Sequence, residues 1–252
     1  MMTNQSEVIK FINLEWDSKQ LGYSCGLIDC SFYLDCITQP HIIKRINDLL
    51  IYNSHIHFTT IKVSCFYNDL VNNLVKRTNC KLIDSELIFK HNQSDKNIHI
   101  RTKNGIKVKF LKKIDPTYFF PLLTELKWSR YLLDKRITKE YSTQLWKNSL
   151  INHCFGRADD IAVAYINEKP SGLVLIMGTK STYINLFLVG VLKEYQRKGV
   201  GLSLISSVLE KYKNTSIISV ETSCCNTPAQ QLYQKCGFSI DTIRYILHII
   251  KR

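Results

Sequence analysis

Apolar residues in the second half of the chain recur with a period of two or in short unbroken runs, the patterns of half-buried and buried strands. They predict strands at Ile106–Leu111, Tyr183–Val191 and Ser216–Glu221. Two further runs, Ile161–Ile166 and Ser171–Met177, are separated by a short polar turn and are typical of a hairpin. This region is therefore predicted to contain a sheet of several strands.

Helical periods separate these strands. One helix is predicted to start at Asp115-Pro116, and another to cover about Thr138–Asn152. A third begins near Gly199, and a fourth is capped by Asn226 and ends at Gly237. Such alternation of strands and helices predicts an α/β fold.

The first 90 residues show the same alternation on a smaller scale. Strands are predicted at Val8–Ile12, Tyr23–Ile28, His57–Val63 and Leu82–Phe89, with a loop at Glu15–Tyr23 and helices that start at Pro40 and at Asn68 or Asp69. The polar stretch Asn92–Asn104 has little to bury and is predicted to be a linker. We therefore expect a smaller N-terminal α/β domain at 1–95 and a larger domain at 105–252.

A glycine-bearing turn, Gln196-Arg197-Lys198-Gly199-Val200-Gly201, lies between the Tyr183–Val191 strand and an amphipathic helix. Backbone N–H groups at a helix N-terminus lack partners and lie at the positive end of the helix dipole, so they can bind a phosphate or pyrophosphate. The spacing alone is also compatible with a structural helix start, because glycine turns are permissive. Gly190, inside the preceding strand, indicates a bulge or the close approach of another backbone.

Two later residues favour a ligand site at this turn. Asn226 precedes Tyr233 by seven residues on one predicted helix, which places them on the same face two turns apart. Together with the turn and with Gly237-Phe238, they resemble the GCN5-related N-acetyltransferase (GNAT) superfamily over about Ile161–Ile250. The resemblance implies a mixed, splayed central sheet flanked by helices, preceded here by the N-terminal domain, and acetyl-CoA as the acyl donor.

The resemblance also implies a role for each matching position. Backbone groups would hold the pantetheine arm of acetyl-CoA at Val189, Gly190 and Val191, and its pyrophosphate at Gln196, Arg197, Lys198, Gly199, Val200 and Gly201. Asn226 would contact CoA, and Tyr233 would protonate the departing thiolate; the alternative for Tyr233 is an aromatic core residue. No single catalytic base stands out, which leaves a water chain or Glu221 as options.

A closer resemblance, spread over nearly the whole chain, is to bacterial acetyltransferases that modify the 4-amino group of dTDP-4-amino-4,6-dideoxygalactose. It rests on Trp16-Asp17-Ser18 with Leu21-Gly22-Tyr23, on Ser129-Arg130-Tyr131 with Asp134, and on Tyr245-x-x-His248. It implies a nucleotide-linked amino sugar of surface-polysaccharide synthesis as acceptor. Arg130 and Lys127 would then meet a diphosphate, and Trp16, Tyr23 or Tyr131 would stack on a sugar or base. The alternative is structural, with Arg130 paired to Asp134 four residues on and Trp16 packed between the domains.

Composition limits the partners. The net charge of +13 attracts polyanions and disfavours polyamines, but the basic residues are dispersed, so no nucleic-acid partner is expected. The apolar runs are too short to span a bilayer, and the N-terminus lacks a signal-peptide pattern, so we expect a cytoplasmic protein without a membrane partner. The nine cysteines include no C-x-x-C pair, and no metal site is predicted.

The sequence thus favours an amino-sugar N-acetyltransferase over two alternatives. A GNAT enzyme that acts on protein or polyamine amines usually needs one domain, so the N-terminal region counts against it. A non-catalytic basic binding module with the same fold would not need the intact turn with Asn226 and Tyr233. The oligomeric state is open, with a homodimer among the options.

Overall fold

The structure is a computed structural model that describes residues 9–31, 39–77, 79–92 and 105–251. The chain forms two compact units: unit 1 comprises Met1–Glu86, Arg130–Leu145 and Thr242–Arg252, and unit 2 comprises Leu87–Ser129 and Trp146–Asp241. Both units are assembled from separate segments, whereas the predicted domains at 1–95 and 105–252 are contiguous. The contiguous boundary stays a prediction. The predicted linker beyond Asn92 lies outside the described residues, as does Val8.

The described residues form ten strands and seven α-helices. In chain order they are β1 (Phe11–Asn13), α1 (Glu15–Leu21), β2 (Cys25–Cys30), α2 (Gln39–Tyr52), β3 (Phe58–Ser64), α3 (Asn68–Val75), β4 (Cys80–Asn92), β5 (Ile106–Leu111), α4 (Arg130–Leu133), α5 (Lys139–Asn152), β6 (Asp160–Ile166), β7 (Lys169–Met177), β8 (Tyr183–Val191), α6 (Val200–Lys211), β9 (Ile217–Ser223), α7 (Thr227–Lys235) and β10 (Ser239–Ile250). The strands β5 and β8 have the predicted bounds.

Unit 1 contains a mixed sheet. Its strand β2 runs antiparallel to β1 and parallel to β3, and β3 pairs antiparallel with β10. One face is apolar, because Ile61 of β3 and Leu247 of β10 belong to a core cluster with residues of α2 and α3. Side chains alternate along a strand, so Thr60 and His248, which are opposite each other in the register, lie on the other face. Unit 1 therefore carries polar side chains on one face of its sheet.

In unit 2, β5 to β8 form an antiparallel meander, and β9 pairs with β8 in parallel. The predicted hairpin is confirmed, and its turn residues Asn167 and Glu168 have φ of 49° and 59°, as a type I′ turn requires. Leu175 of β7 belongs to a cluster with residues of α5 and of the segment 116–124. On the opposite face, a side chain at Gly172 would meet Val200 of α6. The mixed sheet of unit 2 thus lies between two helical layers.

Several local predictions are wrong. The predicted loop at Glu15–Tyr23 contains α1, in which Ser18 Oγ donates to Leu14 O at 2.8 Å; seven residues are too few for a periodic apolar signal. The segment from Asp115 is a 3₁₀ helix, Pro116–Thr124, because Pro121 inside it lacks the N–H that an α-helix needs. Neither Asn68 nor Asp69 caps α3, whose N-cap is Tyr67.

The described ranges were also searched for membrane-spanning helices, metal-binding groups and disulfides. None of their helices combines the length and apolarity needed to cross a bilayer. Within these ranges, no group of three or more His, Cys, Asp and Glu is placed to hold a metal ion. The cysteines described there are free thiols, of which Cys25, Cys30, Cys80, Cys154 and Cys236 are buried.

Candidate active site

The glycine turn leads directly into α6. Gly199 is the N-cap residue and has a left-handed φ of 92°, and Arg197 has a φ of 57°. The N–H of Ser203 donates to Gly199 O at 3.0 Å, so the N–H groups of the first turn have no helical acceptor. This turn of the helix has no acidic residue, and the side chains of Arg197 and Lys198 are exposed. Two cations and the positive end of the helix dipole create a favourable place for an anion.

The two glycines of the turn meet different requirements. Gly199 adopts a φ that L side chains rarely take. Gly201 allows α6 and α7 to approach, because a Cβ atom there would lie 2.9 Å from Leu232 Cδ2. The Val200 side chain is buried, so Val200 and Gly201 present only backbone groups to a ligand.

The strand β8 separates from β9 before it reaches the turn. Its pairing with β9 covers only Tyr183–Leu186, whereas its pairing with β7 continues to Val191. Backbone groups of a strand alternate between its two edges, so the edge of Val189–Val191 that faces away from β7 is available to an extended amide-bearing ligand. We call this the open edge of β8. Two of the three residues predicted to hold pantetheine, Val189 and Val191, direct their backbone groups to this edge. Gly190 is paired with Leu173 and directs its backbone groups to β7.

The irregularity in β8 does not lie at Gly190. The pairing register with β7 shifts at Phe187, which lies between Leu186, opposite Ile176, and Leu188. Gly190 instead permits close packing, because a Cβ atom there would lie 2.6 Å from Leu122 Cδ1. The predicted bulge therefore occurs three residues earlier, and the group that approaches Gly190 is the Leu122 side chain and not another backbone.

Two of the predicted side chains make hydrogen bonds within the site. Gln196 Nε2 donates to Val191 O at 3.2 Å, which ties the glycine turn to the end of β8. Asn226 occupies the N-cap position of α7 but makes no side-chain cap bond. Its Nδ2 donates instead to Thr222 Oγ1 at 3.0 Å. The predicted capping by Asn226 is therefore correct in position and wrong in its hydrogen bond.

Tyr233 lies on α7 with only 4% of its surface exposed. Its ring packs against Phe89 at 5.6 Å and Phe238 at 6.0 Å between centroids. Burial, with a smaller contribution from Cys236, raises the pKa of the Tyr233 phenol above its ordinary value. The phenol is therefore held in its protonated form near neutral pH, the form that a proton donor needs.

A histidine that the sequence did not single out lies beside the bulge of β8. The last turn of α5 widens into a π-helical turn, His153–Arg157, which contains the left-handed Gly156. The His153 ring stacks on Phe187 with centroids 4.2 Å apart and planes at 17°, and Trp146 lies 6.3 Å from Phe187. The spacing Ser149-x-x-x-His153 before a glycine is the only signal in the sequence, and it does not identify the bulge as its partner.

The residues predicted to bind the acceptor belong to unit 1, and two of them contact each other. Arg130 Nη2 donates to the Tyr131 hydroxyl at 2.9 Å, and that hydroxyl donates to Asp17 Oδ1. The rings of Tyr131 and Tyr23 both pack near Phe58, with centroid distances of 6.1 and 6.2 Å. These contacts form an aromatic and polar group in unit 1, in which Phe58 and Tyr131 are buried and the other members are half-buried. Trp16 is half-buried on α1, next to Asp17.

The proposed ion pair between Arg130 and Asp134 is replaced by another arrangement. Asp134 Oδ2 accepts from Arg136 Nη2 at 2.8 Å and from His248 Nδ1 at 2.9 Å. Burial lowers the pKa of His248 to about 4, and its bond to Asp134 opposes this shift. Burial opposes ionisation of Asp134, but the bonds from His248 and Arg136 hold its pKa below the ordinary value. The Arg130 guanidinium is thus not the partner of Asp134.

Comparisons with known proteins agree with this architecture. Residues 120–238, just under half of the chain, match the model of the acetyltransferase (GNAT) family. The uncharacterized N-acetyltransferase YvbK of Bacillus subtilis strain 168 is 29% identical over 82 residues, which are 32% of this chain and 53% of YvbK. The chain therefore spans about half the length of this curated relative.

Solved structures extend the likeness to nearly the whole chain. A functionally unknown conserved protein from Staphylococcus epidermidis ATCC 12228 superposes with a TM-score of 0.65 at 15% identity, covering 94% of this chain and 89% of that chain. A GCN5-related N-acetyltransferase from Sphaerobacter thermophilus has a TM-score of 0.60 at 12% identity, with coverage of 94% and 75%. Such identities establish the fold alone. The chain has an α/β GNAT fold with a mixed sheet flanked by helices, as predicted.

Proposed function

We propose that this chain is an acyl-CoA-dependent N-acetyltransferase. In this proposal it transfers acetyl from acetyl-CoA to the amino group of a nucleotide-linked amino-deoxy sugar, such as a dTDP-4-amino-4,6-dideoxyhexose, in surface-polysaccharide synthesis. The observation that carries it is the open edge of β8 followed directly by the glycine turn. A cytoplasmic location and a homodimer belong to the same proposal.

The donor would be held mainly by backbone groups. The open edge of β8, Val189–Val191, offers amide partners for the pantetheine arm. The first-turn N–H groups of α6, with Arg197 and Lys198 beside them, suit the pyrophosphate. Asn226 is fixed by Thr222 at the start of α7 and would contact CoA. The residues present therefore fit acetyl-CoA.

The chemistry requires a nucleophilic amine and a proton donor. Acetyl-CoA, when bound, supplies a thioester carbonyl that a neutral amine can attack. The buried Tyr233 phenol keeps its proton near neutral pH and would donate it to the leaving sulfur. A proton donor at this position prevents a free thiolate from accumulating. It therefore favours collapse of the tetrahedral intermediate to the amide.

Unit 1, taken by itself, offers groups that suit an anionic acceptor. Tyr23, Tyr131 and Phe58 provide aromatic surface, and Arg130 provides a cation whose Nε is buried without a hydrogen-bond partner in the described part of the chain. A diphosphate or a sugar hydroxyl would supply such a partner. The net charge of +13 also favours an anionic acceptor over a polyamine.

A substrate panel tests the proposal. Acetyl-CoA is offered with dTDP- and UDP-linked 3- and 4-amino sugars, with peptides and with polyamines, and thiol release is measured. Release with a nucleotide sugar supports the proposal. Release only with peptides or polyamines would replace the acceptor while keeping the activity. If no amine gives release while acetyl-CoA binds, the chain is a binding module of the same fold.

A further inference from the structure

We infer that His153 is the proton acceptor of the transfer reaction, so that its Nε2 takes the proton from the attacking amine. This inference rests on the proposed acetyl transfer. It fills the role for which the sequence offered only Glu221 or a water chain.

The hydrogen bond of His153 fixes the form of its ring. Nδ1 lies 2.7 Å from the carbonyl oxygen of Ser149. A carbonyl can only accept, so Nδ1 carries the proton and Nε2 of the neutral ring carries a lone pair. Among the described residues, Nε2 has no hydrogen-bond partner. The unprotonated nitrogen is therefore oriented by its own helix and left available as a base.

The position of His153 connects this nitrogen with the donor site. Its ring stacks on Phe187, the bulge residue of β8. The bulge directly follows the end of the β8–β9 pairing at Leu186, and Val189 lies two residues further on, about 7 Å along the strand. Within unit 2, His153 thus lies beside the part of β8 where the open edge begins.

The electrostatic surroundings keep the ring neutral. Burial lowers the pKa of His153, the bond to Ser149 opposes the shift, and the positive charge of Arg157 adds to it. The aromatic neighbours Phe187 and Trp146 carry no charge. The base form is therefore populated at neutral pH without any change of the protein.

Two carboxylates of unit 2, Asp159 and Asp160, are already engaged in hydrogen bonds. Asp160 binds Lys211 and Tyr212, and although burial opposes it, these bonds hold the Asp160 pKa below its ordinary value. Asp159 accepts from the backbone N–H groups of Gly178 and Thr179. Asp160 is therefore a poor proton acceptor at neutral pH, and Asp159 Oδ2 is occupied by two N–H donors.

In the proposed acetyl transfer, His153 accepts one proton and Tyr233 donates one. The amine nitrogen bonds to the thioester carbon, and its proton moves to His153 Nε2. The C–S bond then breaks, and the sulfur takes the phenolic proton of Tyr233. The products are an acetamide and free CoA, and solvent returns a proton from the imidazolium to the phenolate.

The primary test is His153→Gln in the full-length protein, which removes the titratable nitrogen. We expect kcat to fall by about 10²-fold or more, while the Kd for acetyl-CoA, measured by calorimetry, stays unchanged. Cys154→Ala is the matched control, because Cys154 is buried in the same turn but has no role in the step. It should retain wild-type kcat.

Two further measurements separate proton transfer from packing. The acidic limb of the wild-type kcat profile should stay at the same pH with amines of different basicity and disappear in His153→Gln. In His153→Ala, added imidazole should restore turnover, whereas added benzene of similar size should not. A purely structural histidine would give neither result.

The outcomes distinguish the two proposals. If the wild type turns over and His153→Gln keeps the same kcat and the same acidic limb, the role of His153 is overturned. The acetyltransferase proposal then remains intact. Absence of thiol release by the wild type with every amine overturns both.

Discussion

The burial of the Tyr233 ring depends on two aromatic neighbours. Phe89 and Phe238 exclude water from its ring, and this burial raises the phenol pKa. The same packing would accommodate a phenylalanine without a change of shape. Tyr233 therefore offers a substitution that removes one hydroxyl and little else.

We expect Tyr233→Phe to lower kcat by about 10²-fold or more, because the leaving thiolate loses its proton donor. The Kd for acetyl-CoA and the thermal midpoint should change little, since the ring contacts remain. Stopped-flow thiol detection and calorimetry measure these quantities on one sample. Unchanged turnover would assign Tyr233 to the core, the alternative that the sequence left open.

At the scale of elements, the N-terminus of α6 depends on a backbone conformation. Gly199 has a φ of 92° and begins the helix whose first N–H groups would hold the pyrophosphate. A non-glycine residue in a left-handed conformation costs roughly 1–2 kcal/mol, and a β-branched side chain is more restricted still. The turn would therefore relax and misdirect the N–H groups.

We expect Gly199→Val to abolish measurable binding of acetyl-CoA. Gly105→Val is the matched control, because Gly105 also has a positive φ, 88°, and open space around its Cβ position, but lies at the start of β5. It should lose comparable stability and keep its affinity. Equal loss of affinity in both variants would mean that general destabilisation, and not the turn, controls binding.

At the scale of the whole molecule, the chain contributes distant segments to each unit. Unit 1 needs Arg130–Leu145 and Thr242–Arg252 in addition to its N-terminal part. In it, β10 pairs with β3, and the buried Leu247 and Ile249 of β10 belong to its core. A cut near residue 100 would separate these partners.

We expect a fragment of residues 105–252 to aggregate when expressed alone, because β10 would present an unpaired edge and apolar side chains to water. Co-expression with residues 1–95 should restore a soluble protein. Size-exclusion chromatography and circular dichroism measure both results. A folded, monomeric 105–252 fragment that binds acetyl-CoA would instead support the contiguous domain boundary.

Local features of the site could be predicted without the structure. The strands Ile106–Leu111 and Tyr183–Val191 have the predicted bounds, and the turn before α6 lies where its glycines indicate. These features depend on residues close in sequence: an alternating or unbroken apolar pattern, and a glycine where φ is positive. The α/β fold class follows from the order of such elements.

The position of the bulge and the partners of the buried side chains depend on contacts between distant parts of the chain. The sequence by itself determined the glycine turn, the helix with Tyr233 and the order of strands, because each depends on near neighbours. Only the tertiary structure decided that the bulge falls at Phe187, that His153 stacks on it, and that Asp134 binds His248 and not Arg130. A strand's register and a side chain's partner depend on residues far apart in the chain, and no local pattern encodes them.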